Sequence, residues 1–449
     1  MADASLMGMP LELLVHLIAT YLPTNDLGAL RLTNRYLEKA LFDTFAKEFF
    51  TKRQFMLSTP SLQTLVDISK HGALNRMLKH VIIGLEHYGD SHFRDPQLPA
   101  PTVGQREAFR NAWADQVALI FSGRGRDMLA EAFRNLPNLD TLGIRDYNAH
   151  GRVRDSKSWH SYGAPTVSRE TGHTLWTGSG DFASQVFLLL IQALTDADRA
   201  VPSIEVILRA QYNGLIDFAF FLPPTSSRME LVLDGLQTLL LTLQDGKENF
   251  TDSFLLETFL LRTTFLKHLR LNFRKLDITF ASNVLRRLGT SGNILPNLQR
   301  LDFGMVHTMP DLLVDLICKF ASTLLHVSLW KVTLAYDGNA RWTDIEHRYN
   351  PWPRVLRDLA KSVHLTSMTI GCIDFISAGT AILVKFPDEK VSQEYSGDMN
   401  TWLPQLIDDL KVPWPMSVAS SDSSDNDDDD DDDDQDDEDD EDEDDEYED

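Results

Sequence analysis

Residues 266–303 read LKHLRLNFRKLDITFASNVLRRLGTSGNILPNLQRLDF, with apolar triplets at both ends: Leu266, Leu269 and Leu271, then Leu298, Leu301 and Phe303. The last two members of each triplet are two residues apart, which puts both side chains on one face of a short strand. Between the triplets, ITFASNVLRRLG spaces its apolar residues three and four apart, the period of a helix buried on one side. Strand, loop and helix therefore alternate within this stretch.

The same triplet recurs outward in both directions, at Leu78/Val81/Ile83, Leu139/Leu142/Ile144, Val201/Ile204/Val206, Leu236/Leu239/Leu241, Leu324/Val327/Leu329 and Leu365/Met368/Ile370. From Leu239 to Val327 the middle residues follow one another at intervals of 30, 32 and 26, the range of solenoid repeats. The first two intervals, 61 and 62, are about double and imply insertions or a different local fold. TDSFLLETFLLRTT and MPDLLVDLICKFAS supply further helical patterns in the gaps. One repeat of this kind cannot bury its own apolar face, so neighbours have to stack over a continuous core beneath a parallel sheet. Residues between the buried strand positions then share one surface: Arg145, Glu205, Arg209, Arg270, Asn272, Asp302, Ser328 and Trp330. As single residues these are expected to be solvated strand positions. As a set, Arg145, Arg209, Arg270, Asn272, Asp302 and Trp330 are the candidate target-binding residues, with Trp330 either a binding anchor or packed against a flanking loop.

Upstream, PLELLVHLIATYLPTNDLGALRLTNRYLEKALFDTFAKEFF runs from Pro10 to Phe50 with apolar residues at helical spacing, and it predicts three helices. Pro10 suits a first helical turn, Pro23 ends that helix, Thr24 or Asn25 can cap the second and Thr33 the third. So small a unit cannot bury all its apolar side chains alone. The segments MPLELL, IATYL and NDLGALRLTNRYL, within residues 5–50, resemble the F-box, whose pattern is Leu-Pro-x-Glu-Leu, an Ile-x-x-x-Leu turn, and Asp-Leu leading into a Leu-rich helix. Met9 replaces the usual first Leu. The resemblance implies binding to a Skp-family adaptor, and through it to a cullin-RING ubiquitin ligase, by Pro10, Leu11, Leu14, Ile18, Leu22, Leu27, Leu30 and Leu32. The chain would then be the receptor that presents a target protein for ubiquitination and proteasomal degradation. It would itself be no enzyme, because other subunits transfer the ubiquitin.

Behind this module the expected α/β organisation is a helical linker over 51–77 and an irregular leucine-rich-repeat domain over 78–412. The repeats resemble those of F-box proteins, many of them fungal, although the Asn or Cys that usually closes the strand motif is missing in most. A non-repeat α/β body is the alternative. The polar stretch 146–181, with Trp159, Tyr162 and Trp176, has no helical or strand period and is expected to be a disordered or surface flap, or a contributor to target binding.

Of the 67 acidic residues, 23 lie between Asp422 and Asp449, where no basic residue occurs, so the rest of the chain carries 44 against 42 Lys and Arg. Such a run repels itself and offers nothing to bury, so 413–449 is expected to be a disordered acidic tail, either solubilising or a lure for a basic partner. Ser424, with Asp427 three residues on, fits an acidophilic kinase site. The near-neutral body shows no run of Lys and Arg for phosphate binding, so direct nucleic-acid binding is not expected. Two cysteines, Cys318 and Cys372, do not make a disulfide framework or a cysteine zinc site. GRGRD at Gly123–Asp127 lacks a preceding apolar strand and reads as a loop before a helix. HExxH, GxSxG and GxxxxGK[ST] do not occur, and His87 and His92 have no third ligand in view. No cofactor or metal is expected. With no secretory signal in MADASLMGMP and no membrane-length apolar run, a cytoplasmic or nuclear protein is expected. The other reading is an acidic leucine-rich chaperone or scaffold for basic proteins.

Overall fold

The structure, a computed structural model, describes residues 9–88, 100–148, 160–210, 215, 221, 227–244, 254–274, 278–335, 350–377 and 380–410. The acidic tail 413–449, residues 149–159 of the polar stretch and His92 lie outside the described residues.

Three helices open the chain: α1 (Leu11–Tyr21), α2 (Thr24–Thr33) and α3 (Arg35–Phe50). Pro10 and Pro23 stand at the N-caps of the first two, where a missing N–H costs nothing. The third is capped by Asn34 and not Thr33, its side-chain oxygen accepting from the Tyr36 N–H at 2.7 Å.

Residues 51–77, expected to be a helical linker, open instead with the strand β1 (Lys52–Met56), followed by α4 (Thr59–Lys70). Then come β2 (His80–Gly84), α5 (Val103–Phe121), α6 (Arg124–Asn135) and β3 (Thr141–Arg145). Next are α7 (Ala164–Thr171), α8 (Gly180–Asp196), β4 (Ser203–Ile207), α9 (Ser227–Asp234) and β5 (Thr238–Gln244). The chain continues through α10 (Phe254–Leu261), β6 (His268–Arg274), α11 (Ile278–Thr290), β7 (Arg300–Gly304), β8 (His307–Thr308) and α12 (Pro310–Lys319). β9 (His326–Trp330), β10 (Thr333–Leu334), α13 (Trp352–Ser362), β11 (Ser367–Gly371) and β12 (Asp374–Ser377) follow. β13 (Thr380–Leu383), β14 (Ser392–Ser396) and α14 (Met399–Asp409) complete the described residues.

This is a mixed α/β fold built on a ten-stranded sheet in the order β1-β2-β3-β4-β5-β6-β7-β9-β11-β14. All neighbours are parallel except the last pair. The middle residues of the eight sequence triplets stand side by side in one row: Val81, Leu142, Ile204, Leu239, Leu269, Leu301, Val327 and Met368. All are buried and belong to one apolar core shared with the helices. α4, α6, α8 and α9 pack in succession, as do α10 to α14. Burying each Leu, Val or Ile of the row contributes about 2 kcal/mol, an upper estimate against an extended unfolded chain.

The doubled early intervals are insertions that leave this register unbroken. α5 is added between β2 and β3, and α7 with its flanking segments between β3 and β4. Part of the polar stretch 146–181 is therefore regular. Tyr162 bridges β1, donating its N–H to the Gln54 carbonyl at 2.8 Å, and Trp176 bridges His87. Gln116 of α5 is buried and donates to the carbonyls of Leu57 and Glu86 at 3.1 and 3.0 Å. Gly123, at φ 79°, makes the left-handed turn between α5 and α6, so GRGRD is a turn whose later residues begin a helix.

At the other end, β7, β9 and β11 are each followed by a left-handed residue, Met305 (φ 55°), Lys331 (φ 52°) and Cys372 (φ 49°). The turn redirects the chain into β8, β10 and β12, which with β13 form a second, four-stranded sheet. The apolar residues after these turns, Val306, Val332 and Ile373, are buried. Among the described residues no helix is long and apolar enough to cross a membrane.

Candidate functional site

Two surfaces offer themselves, one on the N-terminal helices and one on the sheet. In the first, Leu14, Ile18, Leu27, Leu37 and Leu41 form an apolar cluster separate from the main core, with Met9, Val15, Leu22, Leu30, Phe45 and Phe49 packed against it. Arg31 of α2 lies over the Phe45 ring at 3.7 Å from its centroid, fastening α2 to α3. Burial holds its guanidinium below the ordinary value, with Glu38 opposing.

Of the eight adaptor-contact candidates, Leu14, Ile18 and Leu27 are therefore interior, holding the three helices to one another. Leu22 and Leu30 are half-buried. Pro10, Leu11 and Leu32 are exposed, the leucines at 44% and 81%. A further exposed set appears one position along α1: Leu13 (53%), Leu17 (41%) and Tyr21 (74%). These three are spaced by four, as are Leu14 and Ile18, so α1 carries two apolar stripes offset by one residue, one covered and one not. That double stripe is visible in LELLVHLIATY, although the sequence does not say which one is inside. Tyr36, at the start of α3, is exposed as well.

The second surface is the sheet face whose side chains point away from the shared core. Across β4 to β11 its rows read Ser203, Thr238, His268, Arg300, His326, Ser367; then Glu205, Leu240, Arg270, Asp302, Ser328, Thr369; then, from β5, Thr242, Asn272, Gly304, Trp330, Gly371. All the candidate binding residues within strands sit on this face, with Arg145 on β3.

Two of them, Asp302 and Arg145, are not the solvated positions expected. Asp302 is buried, with His268 Nε2 at 2.8 Å and the Arg300 Nε donating at 3.0 Å. Burial alone would raise its carboxyl. The hydrogen bonds and charges of His268 and Arg300 outweigh that and hold it below the usual carboxylate value. Arg145 is buried too, its Nη2 3.8 Å from Glu205 Oε2. Asp146 accepts from the Arg209 and Ala210 N–H groups at 2.8 and 2.9 Å, and the Arg209 guanidinium lies 4.1 Å from the Tyr147 ring centroid. Asn272 leans over Gly304 and Trp330 over Gly371. A Cβ at either glycine would collide with the neighbouring side chain, so these glycines make the room. Arg270, Asn272 and Trp330 are half-buried and Arg209 is exposed.

At the β1–β2 end the face closes over. Gln54, Glu86 and Ser161 gather in front of Gly84, and the Gln54 Nε2 donates to Ser161 at 2.8 Å. Burial raises the Glu86 carboxyl above its usual value, against the hydrogen bond from Ser161. His80 is pushed down to about 3 by burial and by Lys52 and Arg145, so its 3.8 Å approach to Glu205 joins a neutral imidazole to a carboxylate and is not an ion pair. His87 is half-buried, stacked on Phe182.

No protein-family model and no curated protein matches the chain.

Proposed function

We propose that the chain is a substrate receptor of a Skp-cullin-F-box ubiquitin ligase, with the N-terminal helices as the adaptor-binding F-box and the ten-stranded body as an irregular leucine-rich-repeat-like domain that holds the target. The observation that carries this reading is the uncovered stripe Leu13, Leu17 and Tyr21 on a small helical unit whose other apolar stripe is already used internally. Exposed apolar anchors on one helix suit a helix-packing interface, where a few desolvated side chains supply most of the affinity. Pro10, Leu11 and Leu32 join that stripe as direct contacts, while Leu14, Ile18 and Leu27 act from inside by holding α1 in place.

The register of buried residues across eight strands supports the repeat reading of the body. A receptor needs no catalytic group, because it contributes proximity and orientation to a transfer performed elsewhere. Affinity purification of the tagged chain with cullin activity blocked is the test. Recovery of adaptor and cullin supports the reading, and recovery of basic proteins without them supports the acidic chaperone alternative, which the Asp422–Asp449 run favours.

A further inference from the structure

The sheet face from β3 to β9 carries four arginines, Arg145, Arg270, Arg274 and Arg300, against three carboxylates, Glu205 and Asp302 on its strands and Asp146 directly after β3, whose charge acts on Arg274, although the chain outside its tail is nearly neutral. The carboxylates are committed within the face: Asp302 to His268 and Arg300, and Glu205 alongside Arg145. Arg270, in the central row between Leu240 and Asp302, makes no ion pair among the described residues. The Nε atoms of Arg145 and Arg274 are buried without an acceptor, and Gln244 Oε1, on the residue paired with Arg274 in the sheet, is buried without a donor. Within the same rows lie Asn272, His326 and half-buried Trp330.

We infer that this face binds an extended acidic peptide segment through its carboxylates, with Arg270 as the central contact and Trp330 as the flanking apolar one. The inference rests on the receptor reading, in that the segment belongs to the target. Carboxylate and guanidinium match in charge and planarity, and fork-to-fork pairing gives geometric specificity. From β3 to β7 is four strand spacings, ~19 Å, which an extended chain covers in about six residues. Charge separates this occupant from a nucleic acid: a surplus of one positive charge, carried by Arg270, is met by one or two carboxylates, whereas phosphate-backbone binding neutralises many more.

The test is fluorescence anisotropy of labelled hexaglutamate with the full chain. Saturable binding that weakens with salt is expected, falling about ten-fold in Arg270→Glu and unchanged in Leu13→Asp/Leu17→Asp. Arg270→Gln, with an intermediate loss, serves if the Glu variant does not fold. Absence of saturable binding, indifference to Arg270, or preference for a phosphoserine peptide or a single-stranded oligonucleotide overturns the inference. Failure here with adaptor capture intact overturns this inference alone, while lost adaptor capture with peptide binding intact overturns the receptor reading and leaves the acidic-peptide site standing.

Discussion

Glu86 is enclosed with Gln54 and Ser161 in front of Gly84, and burial raises its carboxyl above 4.5. A carboxyl raised on folding contributes stability that is fully present below its unfolded value and lost as pH rises through its folded one. Glu86→Gln should therefore stabilise the protein at neutral pH, and the gain should vanish near pH 4, as thermal unfolding at both pH values will read. His80 has the opposite sign. Held down to about 3 from 6.5, it stays neutral in the fold and takes up a proton on unfolding, so stability falls as pH drops from 6.5 toward 3. The expected slope is about 1.4 kcal/mol per pH unit at most, and His80→Asn should flatten that part of the profile. Trp330 over Gly371 supplies a third prediction. Gly371→Ala should displace the indole and cost about 1–3 kcal/mol, with a shifted tryptophan emission as the specific readout.

At the scale of elements, α1 separates two roles that its sequence superimposes. Leu14→Ala removes an interior side chain and should cost about 2–5 kcal/mol. Because its cluster is separate from the main core, hydrogen exchange should show α1 to α3 losing protection while the sheet keeps it. Leu13→Asp/Leu17→Asp, on the uncovered stripe, should leave that protection intact. The helices were legible from their period, but with leucine at positions 11, 13, 14 and 17 nothing local distinguished inner from outer, since burial depends on where α2 and α3 lie. The eight apolar triplets announced their strands. β1 did not, because Arg53 takes the row position that Val81 holds on β2. The left-handed turns at Met305, Lys331 and Cys372 were also hidden, since none is a glycine or an asparagine.

Across the residues from β2 to β11, the sequence triplets implied parallel strands with one buried face, and the unbroken row from Val81 to Met368 is that face. The arginine-rich face was not legible, because Arg145, Arg270, Arg274 and Arg300 are far apart in the chain and only strand register assembles them. The pairing of Asp302 with His268 across two strands was hidden for the same reason. On the proposed reading, the body with its polar sheet face is the holding part and the small helical unit with its uncovered apolar stripe is the recruiting part. The most direct test of that division is capture of a purified Skp-family adaptor by the full chain, compared with folded Leu13→Asp/Leu17→Asp. The account predicts a stable complex for the parent chain and its loss in the variant with unfolding unchanged. An adaptor that ignores the parent chain, or binds the variant equally well, would contradict it.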